Sequence, residues 1–398
     1  MNKTYIFGHK NPDTDSVCSA IALSYLKNQL GMHTEPRILG HLNNETKFVL
    51  NYFKIDTPSY LNDVKLQIRD IDYGKGYMCY AKQSLYEAIN YLRDNHLSTI
   101  PIVDYDKTFL GLLSMKDITT ELISWDYDGI KTSYQNILNT IQGTEVLKFN
   151  EEIEGNVLVA SYRSTTFIND VELTPNDILI LGDRHSIIEY AVESGVKMII
   201  ITGDNEIKET HLKIAEQNKV NIIKTSLRTF NVVKIIGMCN YAETLMYSKN
   251  IISVHENDYV KDFVELTNRL KYKVYPVLNN KKECLGVVQL SDTSNKHKKQ
   301  VILVDHNEKE QSADGIEEAE IIEIVDHHKI ANFETHEPLF YLAMPVGCTA
   351  TILREMFKGS GIQMDKITAG LMLNCNINRY TTFDKNKAKE ELSNIIGK

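Results

Sequence analysis

Three short stretches of this chain carry side chains that could hold metal. They are His9, Asp13 and Asp15 within Gly8-His9-Lys10-Asn11-Pro12-Asp13-Thr14-Asp15-Ser16, then Asp305-His306-Asn307, then Asp326-His327-His328. Carboxylates and imidazoles brought together are what a divalent first-row ion needs. Two ions about 3.5–4 Å apart would need bridging carboxylates. Adjacent His327 and His328 point to different sides of a turn, so one can ligate while the other faces a substrate, and Asp326 can orient an imidazole. Each motif alone has a plainer reading. An Asp-x-Asp ahead of a helix is commonly an N-cap, a strand-end Asp can simply close a turn, and two histidines can sit in a surface loop. Three such clusters in the same setting make the chemical reading the stronger one.

That setting is a strand end. Each cluster follows a short β-branched or aromatic run (residues 4–7, 301–304 and 321–325) that reads as a buried strand. A helix is expected over 16–30, a strand over 35–39 and a second helix over 45–53. The C-terminal part resumes with helices over 351–357 and 367–374. This is βαβ grammar, an α/β fold with a parallel sheet. Turns at the carboxyl ends of its strands converge on one edge, where such folds bind ligands. The motif turns lie on both sides of a long middle segment, which is therefore an inserted module.

The middle holds an imperfect internal repeat. One copy is Leu97-Ser98-Thr99-Ile100-Pro101-Ile102-Val103-Asp104 followed by Leu110-Gly111-Leu112-Leu113-Ser114-Met115-Lys116-Asp117. The other is Tyr272-Lys273-Val274-Tyr275-Pro276-Val277-Leu278 followed by Leu285-Gly286-Val287-Val288-Gln289-Leu290-Ser291-Asp292. Each reads as strand, turn, strand, with Ser and Asp opening the next element, and a helix precedes each copy (85–95 and 260–270). Between them, 156–249 reads as another small α/β unit, marked by Gly182-Asp183-Arg184-His185 and Gly203-Asp204.

Composition limits the alternatives. A chain of 398 residues is too long for one core. Its net charge of −9 argues against nucleic acid, and the Lys296-His297-Lys298-Lys299 run reads as a solvated linker. Six cysteines without CxxC spacing read as reduced core residues of a cytoplasmic protein. The N-terminus lacks a signal-peptide pattern and no apolar run approaches a membrane span, so no membrane partner is expected.

The three clusters resemble the motifs of the DHH phosphoesterase superfamily. Gln311-Ser312, Ile330-Ala331-Asn332-Phe333-Glu334 and Gly347-Cys348-Thr349-Ala350-Thr351 are similar to those of family II, manganese-dependent inorganic pyrophosphatases. The middle resembles a pair of CBS domains flanking a DRTGG domain, the insertion of the regulated branch. The resemblance implies a parallel-sheet DHH domain (1–64 and 297–384) interrupted by CBS repeats (65–125 and 250–296) around a DRTGG-like domain (126–249), with 385–398 a remnant of a largely missing C-terminal lobe. It implies that His9, Asp13, Asp15, Asp305 and His327 hold two Mn²⁺ or Co²⁺ ions, with Asp305 bridging, and that Mg²⁺ can accompany the substrate. His328 would protonate the leaving group of pyrophosphate and Asp326 would orient an imidazole. The CBS pair would take AMP, ADP or diadenosine polyphosphates, with Thr99, Asp117, Lys273 and Asp292 as contacts, in a homodimer. Asp117 and Asp292 also read as plain turn residues.

The chain departs from the family pattern in two places. Arg379 stands where the family has a further ligating Asp, and a guanidinium there removes a ligand and adds fixed positive charge. The residues that clamp phosphate from the C-terminal lobe have no counterpart. Weakened hydrolysis by this chain alone is expected. Two readings follow, a nucleotide-regulated pyrophosphatase and a catalytically impaired adenine-nucleotide sensor. A DHH-type phosphodiesterase is a third, opposed by the Gly347–Thr351 motif and the CBS insertion.

Overall fold

The computed structural model describes residues 3–124, 129–270, 272–294, 297–331, 334–335 and 337–380. It divides into two compact units, the first comprising Met1–Asp72, Asn257–Leu266 and Asp292–Lys398, the second Tyr73–Glu256 and Thr267–Ser291. The reading from sequence broke the chain at 64/65. Residues 65–72 stay with the first unit because Leu66 N–H donates to Glu318 (2.9 Å) and Lys299 pairs with Asp70 (3.2 Å). Lys299 also donates to the Lys65 carbonyl, and His297 faces Asp72. Within the basic run, His297 and Lys299 thus have local partners.

In the first unit the strands are β1 (Thr4–Phe7), β2 (Thr34–Arg37), β3 (Gln300–Val304), β4 (Glu320–Asp326) and β5 (Phe340–Ala343). They form one sheet in the order β5-β4-β3-β1-β2, with every pairing parallel. Val301, Leu303 and Phe7 pack on one face and Ile6, Ile302 and Val304 on the other, the two-residue alternation of strands covered on both sides. The edge strand β5, Phe340-Tyr341-Leu342-Ala343, is mostly exposed although apolar, and the sequence pattern did not assign it.

Helices α1 (Thr14–Gln29), α2 (Asn44–Tyr52), α3 (Thr349–Ser360) and α4 (Lys366–Tyr380) belong to this unit. Asp13 caps α1 by accepting from Ser16 N–H at 2.9 Å, so the helix starts two residues earlier than expected. Apolar positions almost all round α1, including Val17, Cys18, Ala20, Ala22, Leu23 and Leu26, are buried between the sheet, α3 and α4, as a fully enclosed helix requires. Burying Val17, Leu23 and Leu26 contributes about 1.5–3 kcal/mol each. The β1–α1 turn needs Gly8, since a Cβ there would strike the Ser16 side chain.

The second unit holds three sheets. Two belong to the repeat, and one constant shift in numbering maps the first copy onto the second. Ile102 pairs with Gly111 as Val277 pairs with Gly286, and a register shift follows each. Asp104 Oδ1 accepts from the Asp106 and Thr108 amides as Asn279 Oδ1 accepts from those of Lys281 and Glu283. Lys107 and Lys282 both have positive φ. The copies also meet edge to edge, Phe109 N–H donating to the Lys282 carbonyl (3.2 Å) and Cys284 N–H to that of Lys107 (2.8 Å). This is approximate two-fold symmetry, not loose sequence similarity. One difference breaks it: Met115–Ser124 is an α-helix, whereas Leu290–Ser294 is a short 3₁₀ turn.

The third sheet is the intervening α/β unit. Glu152–Val159, Asp177–Leu181, Met198–Thr202 and Asn221–Thr225 run parallel, and Gly129–Ser133 and Gly143–Leu147 flank them antiparallel. All six described cysteines are buried and unbonded. Among the described residues, no helix is long and apolar enough to cross a membrane.

Candidate metal centre

The carboxyl ends of β1, β3 and β4 bring the three clusters together. Asp305 follows β3 directly, buried and with a φ of 59°. Left-handed backbone at a non-glycine residue costs about 1–3 kcal/mol and persists only where the surroundings impose it. Here the Asp305 N–H donates to the Val325 carbonyl (3.0 Å), which turns the carboxylate into the site. One of its oxygens lies 3.4 Å from His9 Nε2, the other 3.2 Å from His327 Nε2. Two donor triplets result, His9–Asp13–Asp305 and Asp305–His327–His328, and Asp305 belongs to both.

The neighbours fix each ligand atom. His327 Nδ1–H donates to the Val346 carbonyl (3.1 Å), which aims the buried Nε2 at Asp305 Oδ1, 3.2 Å away. A carbonyl behind an imidazole is the usual way to set the tautomer of a metal ligand. Asp15 is buried, its nearer oxygen 3.9 Å from His327 Nε2. Its Oδ2 accepts from the Thr349 amide (2.8 Å) and its Oδ1 from the Ala350 amide (3.3 Å) and the Ser19 hydroxyl (3.1 Å), so Oδ2 keeps a second lone pair. Asp13 is exposed, 3.8 Å from His9, and caps α1 at the same time. Both the plain and the chemical readings of Asp13 therefore describe it.

Asp326 orients His328. Its Oδ1 accepts from His328 Nδ1 (2.8 Å) and from the amides of His327 and His328, while Oδ2 accepts from Asn307. His328 is half exposed, its ring centred 4.1 Å from that of His327, so Nε2 is the nitrogen available to a bound molecule. His306 turns away from the site. Its Nδ1–H donates to the Val304 carbonyl (2.9 Å), and burial pushes its pKa down to about 4.

Charges in the bare site are interdependent. Burial pushes Asp15 up to about 7, aided by the Asp305 charge and opposed by the Thr349 and Ala350 amides. Burial would also raise Asp305, but hydrogen bonds from His327 and His9 outweigh it and hold that carboxyl well below the usual range. His327 is raised, chiefly by its hydrogen bond to Asp305. His9 is raised too, burial being overcome by Asp305 and Asp13. A central carboxylate shared by two imidazoles, with further carboxylates beside it, is a donor set that suits a divalent cation pair.

Residues 3–375 match the family described as DHH family, N-terminal domain. A cobalt-dependent inorganic pyrophosphatase of Clostridium perfringens is 34% identical over 376 residues, covering 92% of this chain and 68% of that protein. This chain belongs to the metal-dependent inorganic pyrophosphatases of the DHH family. A probable manganese-dependent inorganic pyrophosphatase of Thermotoga maritima is 28% identical over 94% of this chain and 69% of its own length. Among solved structures, the CBS and DRTGG domains of the regulatory region of Clostridium perfringens pyrophosphatase, complexed with activator, diadenosine tetraphosphate, cover 56% of this chain and all of that one. Their TM-score is 0.51 at 26% identity. A DHH domain carrying a CBS–DRTGG module is thereby shown for this chain.

Sequence reasoning missed Thr349. It opens α3, donates its hydroxyl to Asp305 Oδ1 (2.9 Å) and its amide to Asp15, so it ties two carboxylates from opposite ends of the chain. The signal was a hydroxyl residue at a helix start within Gly347–Thr351. Asn307 is the other omission: it bridges Asp326, the Lys329 carbonyl (3.0 Å) and the Ala331 amide (2.7 Å), holding the His327–His328 turn closed.

In the second unit, Asp117 lies in the first turn of Met115–Ser124 and accepts from the Ser114 hydroxyl (2.5 Å). Thr99 opens the strand Thr99–Val103. Lys273 is exposed and precedes its strand, Tyr275–Leu278, instead of lying on it. The repeat shift pairs Lys273 with Ser98, so Thr99 and Lys273 are not equivalent positions. Asp292 lies in the 3₁₀ turn Leu290–Ser294, at the start of the C-terminal part of the first unit. The side chain of Arg379 and residues 385–398 lie outside the described residues.

Proposed function

We propose that this chain hydrolyses inorganic pyrophosphate to two phosphates in the cytoplasm as a homodimer, at a rate set by adenine nucleotides bound to its CBS repeats. The observation that carries this is one carboxylate, Asp305, shared by two imidazole-containing donor triplets. His9, Asp13 and Asp305 would hold one Mn²⁺ or Co²⁺, and Asp15, Asp305 and His327 the other. When bound, such a pair lowers the pKa of a shared water and neutralises the substrate's charge. His328 then supplies a proton from Nε2 to the departing phosphate, while Asp326 steadies its Nδ1 side. Thr349 keeps Asp15 and Asp305 from swinging apart. Thr99, Asp117, Lys273 and Asp292 are the proposed nucleotide contacts. The activator in the structurally similar Clostridium perfringens region, diadenosine tetraphosphate, supports that ligand class.

Arg379 favours a second reading, in which a ligand is lost and the CBS–DRTGG module acts as a nucleotide sensor. One assay separates the two. The full chain with Mn²⁺ or Co²⁺ should release phosphate from pyrophosphate, and added AMP, ADP or diadenosine tetraphosphate should change the rate. Nucleotide binding with no phosphate release would establish the sensor.

A further inference from the structure

The intervening α/β unit has its own parallel sheet, and the loops leaving two adjacent strands carry histidines. Asp177–Leu181 is followed by Gly182-Asp183-Arg184, then His185 opens the helix His185–Glu193. Met198–Thr202 leads through Gly203-Asp204 to the helix Glu209–Gln217, whose first turn contains His211. The two helices pack together. Both histidines therefore lie near the carboxyl edge of a parallel sheet, where α/β units bind ligands.

The imidazoles are unusually placed. His211 is only 4% exposed, yet its Nδ1 has no hydrogen-bond partner, and the buried Nδ1 of His185 has none either. Leaving a buried polar atom unsatisfied costs about 1–3 kcal/mol, so two side by side point to an occupant. Asp183 Oδ1 stands 3.4 Å from His185 Nε2. A carboxylate there places the proton on Nε2 and leaves Nδ1 as a bare lone pair, the arrangement of a carboxylate–histidine–metal triad. The ring centroids are 5.7 Å apart at 52°. Two imidazoles on one tetrahedral ion, with metal–nitrogen bonds of about 2.0–2.1 Å, put their centroids roughly 5–5.5 Å apart, so a small rotation closes the gap. Glu189 lies one turn beyond His185 on the same helix face. Its negative charge acts on His211.

We propose that His185 and His211 form a transition-metal site in this unit, completed by water and oriented by Asp183. Two imidazoles select an ion such as Zn²⁺ or Co²⁺ over Mg²⁺ or Ca²⁺. The site is independent of the catalytic centre. Its residues come from one unit and its donors from two packed helices, so it needs no other segment of the chain.

The test counts ions. Full-length protein stripped with a chelator is dialysed against Zn²⁺, and bound metal per chain is compared between wild type, His185→Ala and His211→Ala. Each variant should hold one ion fewer, and its Co²⁺ form should lose a matching part of the visible absorption. Asp183→Asn should retain the ion but bind it about 10–100-fold more weakly, a graded effect that a purely structural role would not give. His211 is buried and its alanine variant can misfold, so the partly exposed His185 carries the decision. Equal ion counts in wild type and folded His185→Ala would overturn the site.

Discussion

At the scale of single residues, the metal centre is organised by Asp305 and by the groups that hold it. Thr349→Val keeps the shape of α3's first turn and removes only the hydroxyl donated to Asp305. It should weaken Mn²⁺ binding about 10–100-fold, read by metal titration, with little change in thermal stability. Asp305→Ala should do far more. It leaves His9 and His327 without their common partner, and any phosphate release should fall at least about 100-fold. A variant retaining full rate would remove Asp305 from the mechanism.

The titrating groups give a second residue-scale prediction, on the metal-free protein. Asp15 titrates at about 7 when folded against 3.8 ordinarily, so between those values the native state holds a proton that the unfolded chain has lost. Stability from this group therefore declines as pH rises through that window. The raised pKa values of His9 and His327 act in the same sense. Their stabilisation is full below the unfolded value of 6.5 and disappears as pH passes the folded values. Metal binding runs the other way, because the ligands must shed these protons. Melting curves should show stability of the metal-free protein falling from pH 5 to 8 and the increment from added Mn²⁺ growing over the same range.

At the scale of elements, the β1–α1 turn and the repeat carry the argument. Gly8→Ala pushes a methyl into Ser16 and should cost about 1–3 kcal/mol. Gly359→Ala, inside α3 with nothing within 4 Å of the new Cβ, should gain about 0.5–1 kcal/mol. Thermal melts of the pair check both signs. The helix-strand grammar of both regions was legible because alternation and periodicity depend on neighbours in sequence. The starts of α1 and α3 were read two residues late, since Thr14 and Thr349 carry no hydrophobic signal and are helical through Asp13 and through contacts across the fold. β5 is apolar in sequence but bears none of the clustered side chains, and its place is set by pairing with β4.

At the scale of the molecule, the inserted module and the catalytic domain should communicate. Adenine nucleotide added to the Mn²⁺-loaded full chain should change kcat, and Asp117→Ala should blunt that response without altering the rate in its absence. Sedimentation equilibrium should give twice the chain mass. A monomer would remove the dimer from the proposal, leaving the catalytic reading intact.

The amino-acid order by itself determined the parallel α/β grammar, the three strand-end clusters, the inserted repeat and the kinship to pyrophosphatases. These rest on periodicity, turn chemistry and local motif, which the chain carries wherever it goes. Only the tertiary structure decided that Asp305 belongs to both donor triplets and that Thr349 ties it to Asp15. It also decided that Asp326 pairs with the imidazole of His328 and not with that of His327, and that His185 meets His211. Such facts depend on the direction in which a side chain leaves its strand or helix, and that direction is set by partners hundreds of residues away.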